Sequence, residues 1–300
     1  MERMAFIMLL MVLVSCGKEP PVSLDRIKAT YAEGDLRGIK MDDPRWKNAF
    51  ETPITLEKQL IALPKSEDDG VTEIKIKALY NESWAAFLLR WDDPTPDHLA
   101  QIGKYSDSVA IQFPGAPGEL PDSAMGGAPG SARPVVIHQW KAVWQEAEAG
   151  KIEGIRTFYP NTWSDVYIFE MAQDDAAKTA MERTFTTSVA AGNPLAHHGT
   201  AIRDLESVGF GSVEFSAEQS STGYGQWENG QWRVLIVRSV ERNRGSVDLG
   251  RLFYAAFAVW DGSRREVGAR KMQSTWFPIQ FIQRPADAGA HEIHMPLGQP

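Results

Sequence analysis

The chain has 300 residues, 43% of them hydrophobic, 10 Trp and a formal charge of −8. That content suits one large or two small folded domains and excludes a disordered chain. The acidic balance and the lack of any basic stripe argue against nucleic acid, because phosphate binding needs clustered Lys and Arg.

Behind Arg3, the ten residues Ala5 to Val14 (AFIMLLMVLV) form an apolar run too short to span a bilayer core as a helix. The run ends in Leu13-Val14-Ser15-Cys16, a tetrapeptide like a bacterial lipobox. Residues 1–15 therefore read as a lipoprotein signal peptide, with Cys16 lipidated as the first mature residue and the protein anchored on the periplasmic side of a membrane. An ordinary secretory signal with an incidental Cys is the alternative. Cys16 is the only Cys in the chain, so there is no disulfide, no CxxCH haem attachment and no cysteine cluster for zinc or iron–sulfur.

Residues 16–42 read as a polar tether and N-terminal extension, and Asp43-Pro44-Arg45-Trp46 opens a folded domain that runs to 284. Leu56 to Leu63 predicts a first strand. Ile74, Ile76, Ala78 and Tyr80 recur with a period of two, and Trp84 to Trp91 (WAAFLLRW) returns as a strand buried on both faces. Asp92, Asp93 and Asp97 follow; their spacing matches no calcium loop and predicts a solvated turn. Asp107 to Phe113 is the next strand. A loop rich in Gly, Pro and Ala spans Pro114 to Pro134 and carries Met125 before Gly126-Gly127.

Val135 to Trp144 and Asp165 to Ala172 read as strands, and Gln173 to about Ala191 as an inserted helix. His197-His198 predict a solvent-exposed pair, since sequence neighbours point apart and no third ligand stands at useful spacing. Phe210 to Phe215 is a short strand. Tyr224 to Trp227 meets Asn229-Gly230, a hairpin signal, and Gln231 to Val240 pairs back. Leu249 to Phe281 holds two more strands, with Lys271 on the approach to the second. On periodicity alone that lysine is a snorkelling surface residue. Residues 285–300 form a tail without periodicity. About ten strands separated by turn signals predict a mainly β chain, an antiparallel β-sandwich with inserted helices and long loops.

No GxSxG, HExxH or P-loop is present. Several segments instead carry a resemblance: DPRW at Asp43, FLLRWDD, DSVAIQFP with its Gly-rich loop, PVVIHQWKAVWQ, ENGQWRVLIVRS at Glu228 and FAVWDGSRREVGARKMQSTW at Phe257. In this order they are similar to the γ-subunit family of ethylbenzene dehydrogenase, which includes the γ subunits of dimethylsulfide dehydrogenase and of selenate and chlorate reductases. The resemblance implies a β-sandwich holding one haem b, with axial ligands Met125 and Lys271 and no catalytic residues of its own. It also implies a molybdenum catalytic subunit and an iron–sulfur subunit as partners, with a redox carrier such as cytochrome c. Arg238 and Arg270 are candidates to meet the haem propionates. Three features depart from the family pattern: His138-Gln139-Trp140 before the Lys-Ala pair, the length of Gln173 to Glu206, and the lipobox. The alternatives are a carbohydrate- or other ligand-binding sandwich, since Trp is plentiful, and a structural outer-membrane lipoprotein.

Overall fold

A computed structural model describes residues 26–98, 103–116, 119–127, 133–149, 200–240 and 253–282, with 151, 161 and 174–177. Cys16 and its leader, the expected strand Asp165 to Ala172, most of the expected helix at 173–191, His197-His198 and the tail 285–300 lie outside the described residues.

The strands, in chain order, are β1 (Ile27–Tyr31), β2 (Thr52–Thr55), β3 (Glu57–Lys58), β4 (Glu73–Tyr80), β5 (Trp84–Asp92), β6 (Ser108–Pro114) and β7 (Val135–Lys141). After the helix α1 (Ala142–Glu148) come β8 (Ile202–Ser207), β9 (Glu214–Phe215), β10 (Thr222–Glu228), β11 (Gln231–Ser239), β12 (Phe253–Trp260), β13 (Met272–Gln273) and β14 (Phe277–Ile282).

Hydrogen bonding joins them in the order β10-β11-β5-β4-β1-β14-β12-β6-β7-β8-β9. The path folds over on itself at β12. Phe253 to Ala255 pair with β14, whereas Ala256 to Trp260 pair with β6. One strand thus belongs to both layers of a sandwich. The layers face each other through Ile74, Ile76, Phe87, Leu89 and Trp91 on one side and Val109, Ile111, Phe113, Phe257 and Val259 on the other. This is the main core, and its apolar area dominates the driving force for folding.

The run WAAFLLRW is apolar on both faces because β5 is central. Phe87, Leu89 and Trp91 point into the main core, while Ala86 and Leu88 lie under Leu36, Ile39 and Trp46. Asn229 (φ 52°) and Gly230 (φ 78°) close the β10–β11 hairpin with two left-handed residues, the geometry that matches strand twist.

The expected strands are largely present among the described residues, with several differences. β2 (Thr52–Thr55) is added just before the first expected one. β1 lies parallel to both β14 and β4, in the segment read as a tether and N-terminal extension. Leu56 to Leu63 is not one strand: the Gln59 side-chain oxygen accepts from the Ile61 and Ala62 N–H groups and turns the chain after β3. Val135 to Trp144 leaves the sheet at Lys141, where the Ala142 N–H donates to Asp107 O and the Val143 N–H to Ser106 Oγ, and α1 begins. Of Phe210 to Phe215 only the last two residues pair, while β8, between the expected helix and that segment, is a full strand that was not expected.

Candidate functional site

On the outward face of β12, β6 and β7, Ser108, Ala110, Ala256 and Ala258 keep the middle low. Adjacent registers read Trp260, Ser108, Lys141, then Ala258, Ala110, Gln139, then Ala256, Gln112, Ile137. Phe257, Val259, Val109 and Ile111 point the other way into the main core. Alternation therefore places bulk inside and leaves room outside. Two loops wall that room.

The first wall is the Gly-rich loop. Gln112 anchors it: its Oε1 accepts from the Gly126 N–H at 2.7 Å and its Nε2 donates to the Ser123 and Ala124 carbonyls. Ser207 Oγ donates to Gly126 O at 2.8 Å. Gly126 (φ 101°) and Gly127 (φ 79°) turn the chain where a side chain would be strained. Met125, fixed between these bonds, is 7% exposed.

The second wall is the turn from Asp261 to Arg270. Trp260 Nε1 donates to Gly268 O and Gln59 Nε2 to Ala269 O. The chain then delivers Lys271, 5% exposed, with its Nζ 3.5 Å from the Met125 carbonyl oxygen and 5.5 Å from the centre of the Trp260 ring. Burial pushes the amine pKa down to about 8. No carboxylate pairs with it among the described residues.

Met125 and Lys271, 146 positions apart, thus line one cavity of about 580 Å³, with Ile137, Leu205, Trp144 and Trp260 among its walls. That volume is in the range of small-molecule and cofactor sites, roughly 300–1,000 Å³. The donor set is one soft thioether and one amine whose neutral form burial favours.

Arg238 and Arg270 do not line this cavity. Arg238 lies between the layers, 4.4 Å from the Phe113 ring centre. There it joins His138, whose Nδ1 stands 2.7 Å from Asp204 Oδ1 and 2.8 Å from Ser221 Oγ. Burial, aided by Arg238, pushes the His138 pKa down. Burial alone would raise Asp204, but its bonds to His138 and Ser221 outweigh that and hold it low. Arg270 lines a separate surface pocket with Glu67, Asp68, Arg264 and Arg265.

The turn after β5 is not solvated as expected. Asp92 is exposed, but Asp93 is fully buried and faces Asp107 and Asp261, with carboxylate oxygens all within 4.8 Å of one another. Burial raises Asp93 to about 6 and Asp107 and Glu266 to about 7. Asp93, Asp107 and Asp261 each adjoin the end of a different strand, so sequence spacing carried no trace of the cluster.

Residues 43–272 match the family described as ethylbenzene dehydrogenase. The chain belongs to that family. It is the resemblance carried by the motifs from Asp43 to Trp276. A Haloferax mediterranei protein, provisionally named a respiratory nitrate reductase heme subunit, is 21% identical over 240 residues, 79% of this chain. The match spans 66% of that relative, slightly under two thirds of its length. Among solved structures, a family 9 carbohydrate-binding module from Caldicellulosiruptor kristjanssonii in complex with cellotriose aligns over 92% of this chain and all of its own, at 10% identity and a TM-score of 0.40. The same module with glucose aligns over 87% of this chain and 97% of its own, at the same identity and score. At that score neither bears on the fold or ligand of this chain.

Proposed function

We propose that this chain is a haem b-binding electron-transfer subunit of an oxidoreductase complex, with Met125 and Lys271 as the two axial ligands. The observation that carries the reading is the convergence of a buried thioether and a buried amine, far apart in sequence, on one largely apolar cavity. Family membership and the heme-subunit relative support it.

The chain's own residues suit the role. Lys271 can ligate only as the neutral amine, and burial already moves it toward that form. To do so its Nζ gives up the long contact to Met125 O. Met125 offers a neutral donor on a loop held by Gln112 and Ser207. Trp260, Ile137 and Leu205 exclude water from the walls. A bound haem would supply one-electron exchange at its iron. Thioether ligation and an apolar shell both favour a high potential.

On this reading substrate chemistry belongs to a molybdenum catalytic subunit, with an iron–sulfur subunit and a carrier such as cytochrome c on the electron path. The LVSC segment supports lipidation of Cys16 and a place on the periplasmic face of a membrane. Fatty-acid labelling checks this: label should appear on the wild type and vanish in Cys16→Ser. A sugar-binding sandwich would need neither Met125 nor Lys271 converging on a cavity.

The test is the optical spectrum of the full-length protein loaded with haem. The wild type should show a six-coordinate low-spin haem. Lys271→Ala should turn it high-spin or lose it, and Met125→Ala should weaken binding and lower the potential. Spectra unchanged by both substitutions would remove the assignment.

A further inference from the structure

The cavity contains a second lysine that neither wall explains. Lys141 ends β7, level with Ser108 and Trp260 across the sheet. The loop bearing Met125 is anchored on Gln112, four residues along β6 from Ser108. At roughly 3.3 Å per strand residue this places Lys141 about 13 Å along the floor from that anchor. Its Nζ stands 4.7 Å from the Trp144 ring centre. No carboxylate pairs with it among the described residues, and burial pushes its pKa down to about 8.

The other charged groups around the cavity are accounted for. Lys104 is exposed, and Arg203, also over Trp144, pairs with Glu148. The carboxyl of Glu266 accepts from the Asp261 N–H. A largely buried cation without a paired carboxylate, in the same cavity that Met125 and Lys271 line, is set to receive a negative group carried by the ligand itself. We propose that Lys141 binds a carboxylate of the cavity's ligand, a propionate if that ligand is haem. This inference rests on the haem reading above.

The two separate in one titration series. Full-length apoprotein is titrated with haem and with haem dimethyl ester, whose carboxylates are capped. The wild type should bind haem about tenfold more tightly than the ester, a difference of about 1.4 kcal/mol. Lys141→Met should weaken haem binding about tenfold and leave the ester unchanged, which also shows that the pocket is intact. Lys141→Arg should restore most of the preference. Lys141→Gln gives the same comparison if the methionine variant does not fold. A preference for haem that survives loss of the charge overturns the proposal, as does equal weakening of haem and ester. A wild type that binds neither compound overturns the haem reading itself.

Discussion

A lysine beside an aromatic strand ordinarily snorkels to water, yet Lys271 is 5% exposed and its amine lies against the Met125 carbonyl. Holding a charged amine there costs stability. Its folded pKa of about 8 lies below the unfolded value near 10.5, so the unfolded chain binds more protons between the two. Stability should therefore rise as pH goes from 8 to about 10.5. At pH 7 Lys271→Met should stabilise the apoprotein by about 2 kcal/mol in urea unfolding while removing the ligand. A destabilised variant would mean the amine is better satisfied than its contacts indicate. Neither member of the pair was legible from periodicity or spacing. Resemblance picked them out, because a 146-residue separation closes only through the fold. Arg238 and Arg270 show the limit of that route. As basic residues beside matched motifs they suited the propionates, but β11 turns Arg238 inward and the 261–270 turn places Arg270 in another pocket.

At the scale of elements, alternation was legible wherever one face meets the core and the other does not. β4, β6, β11 and β12 follow their period-two runs, and Asn229-Gly230 closes the expected hairpin. β1, β2 and β8 were missed: β1 is only five residues long, Pro53 interrupts β2, and β8 buries the charged Arg203 and Asp204, so none shows a clear apolar alternation. The end of β7 was misread because Val143 and Trp144 are as apolar as a strand, and only the bonds from Asp107 and Ser106 pull them into α1. One glycine marks where elements touch. A Cβ on Gly225 of β10 would stand 2.3 Å from Trp140 Cζ2, a fully buried ring. Gly225→Ala should cost about 1–3 kcal/mol by chemical denaturation, as overpacking does. A neutral result would mean that β10 moves freely against β7.

At the scale of the whole molecule, the layers meet at the ends of β5, β6 and β12, where Asp93, Asp107 and Asp261 crowd together. Asp93, Asp107 and nearby Glu266 keep their protons to about 6–7 in the fold but only to about 4 when unfolded. The folded chain binds more protons in that window, so these groups lower stability as pH rises from about 4 to 7. His138, shifted the other way, opposes them over part of the range. Asp93→Asn isolates one contribution. It should raise stability at pH 8 by about 1–2 kcal/mol and flatten the thermal-melt profile between pH 4 and 7. A profile as steep as the wild type's would place the protons elsewhere. The central claim is that Met125 and Lys271 grip one iron from the two walls of the outer cavity. X-ray absorption at the iron edge of the haem-loaded protein tests it most directly. The expected result is one sulfur at about 2.3 Å, a usual metal–sulfur distance, lost in Met125→Ala and kept in Lys271→Ala whenever haem is retained. An iron without a sulfur neighbour in the wild type, or one whose sulfur survives Met125→Ala, would contradict the account.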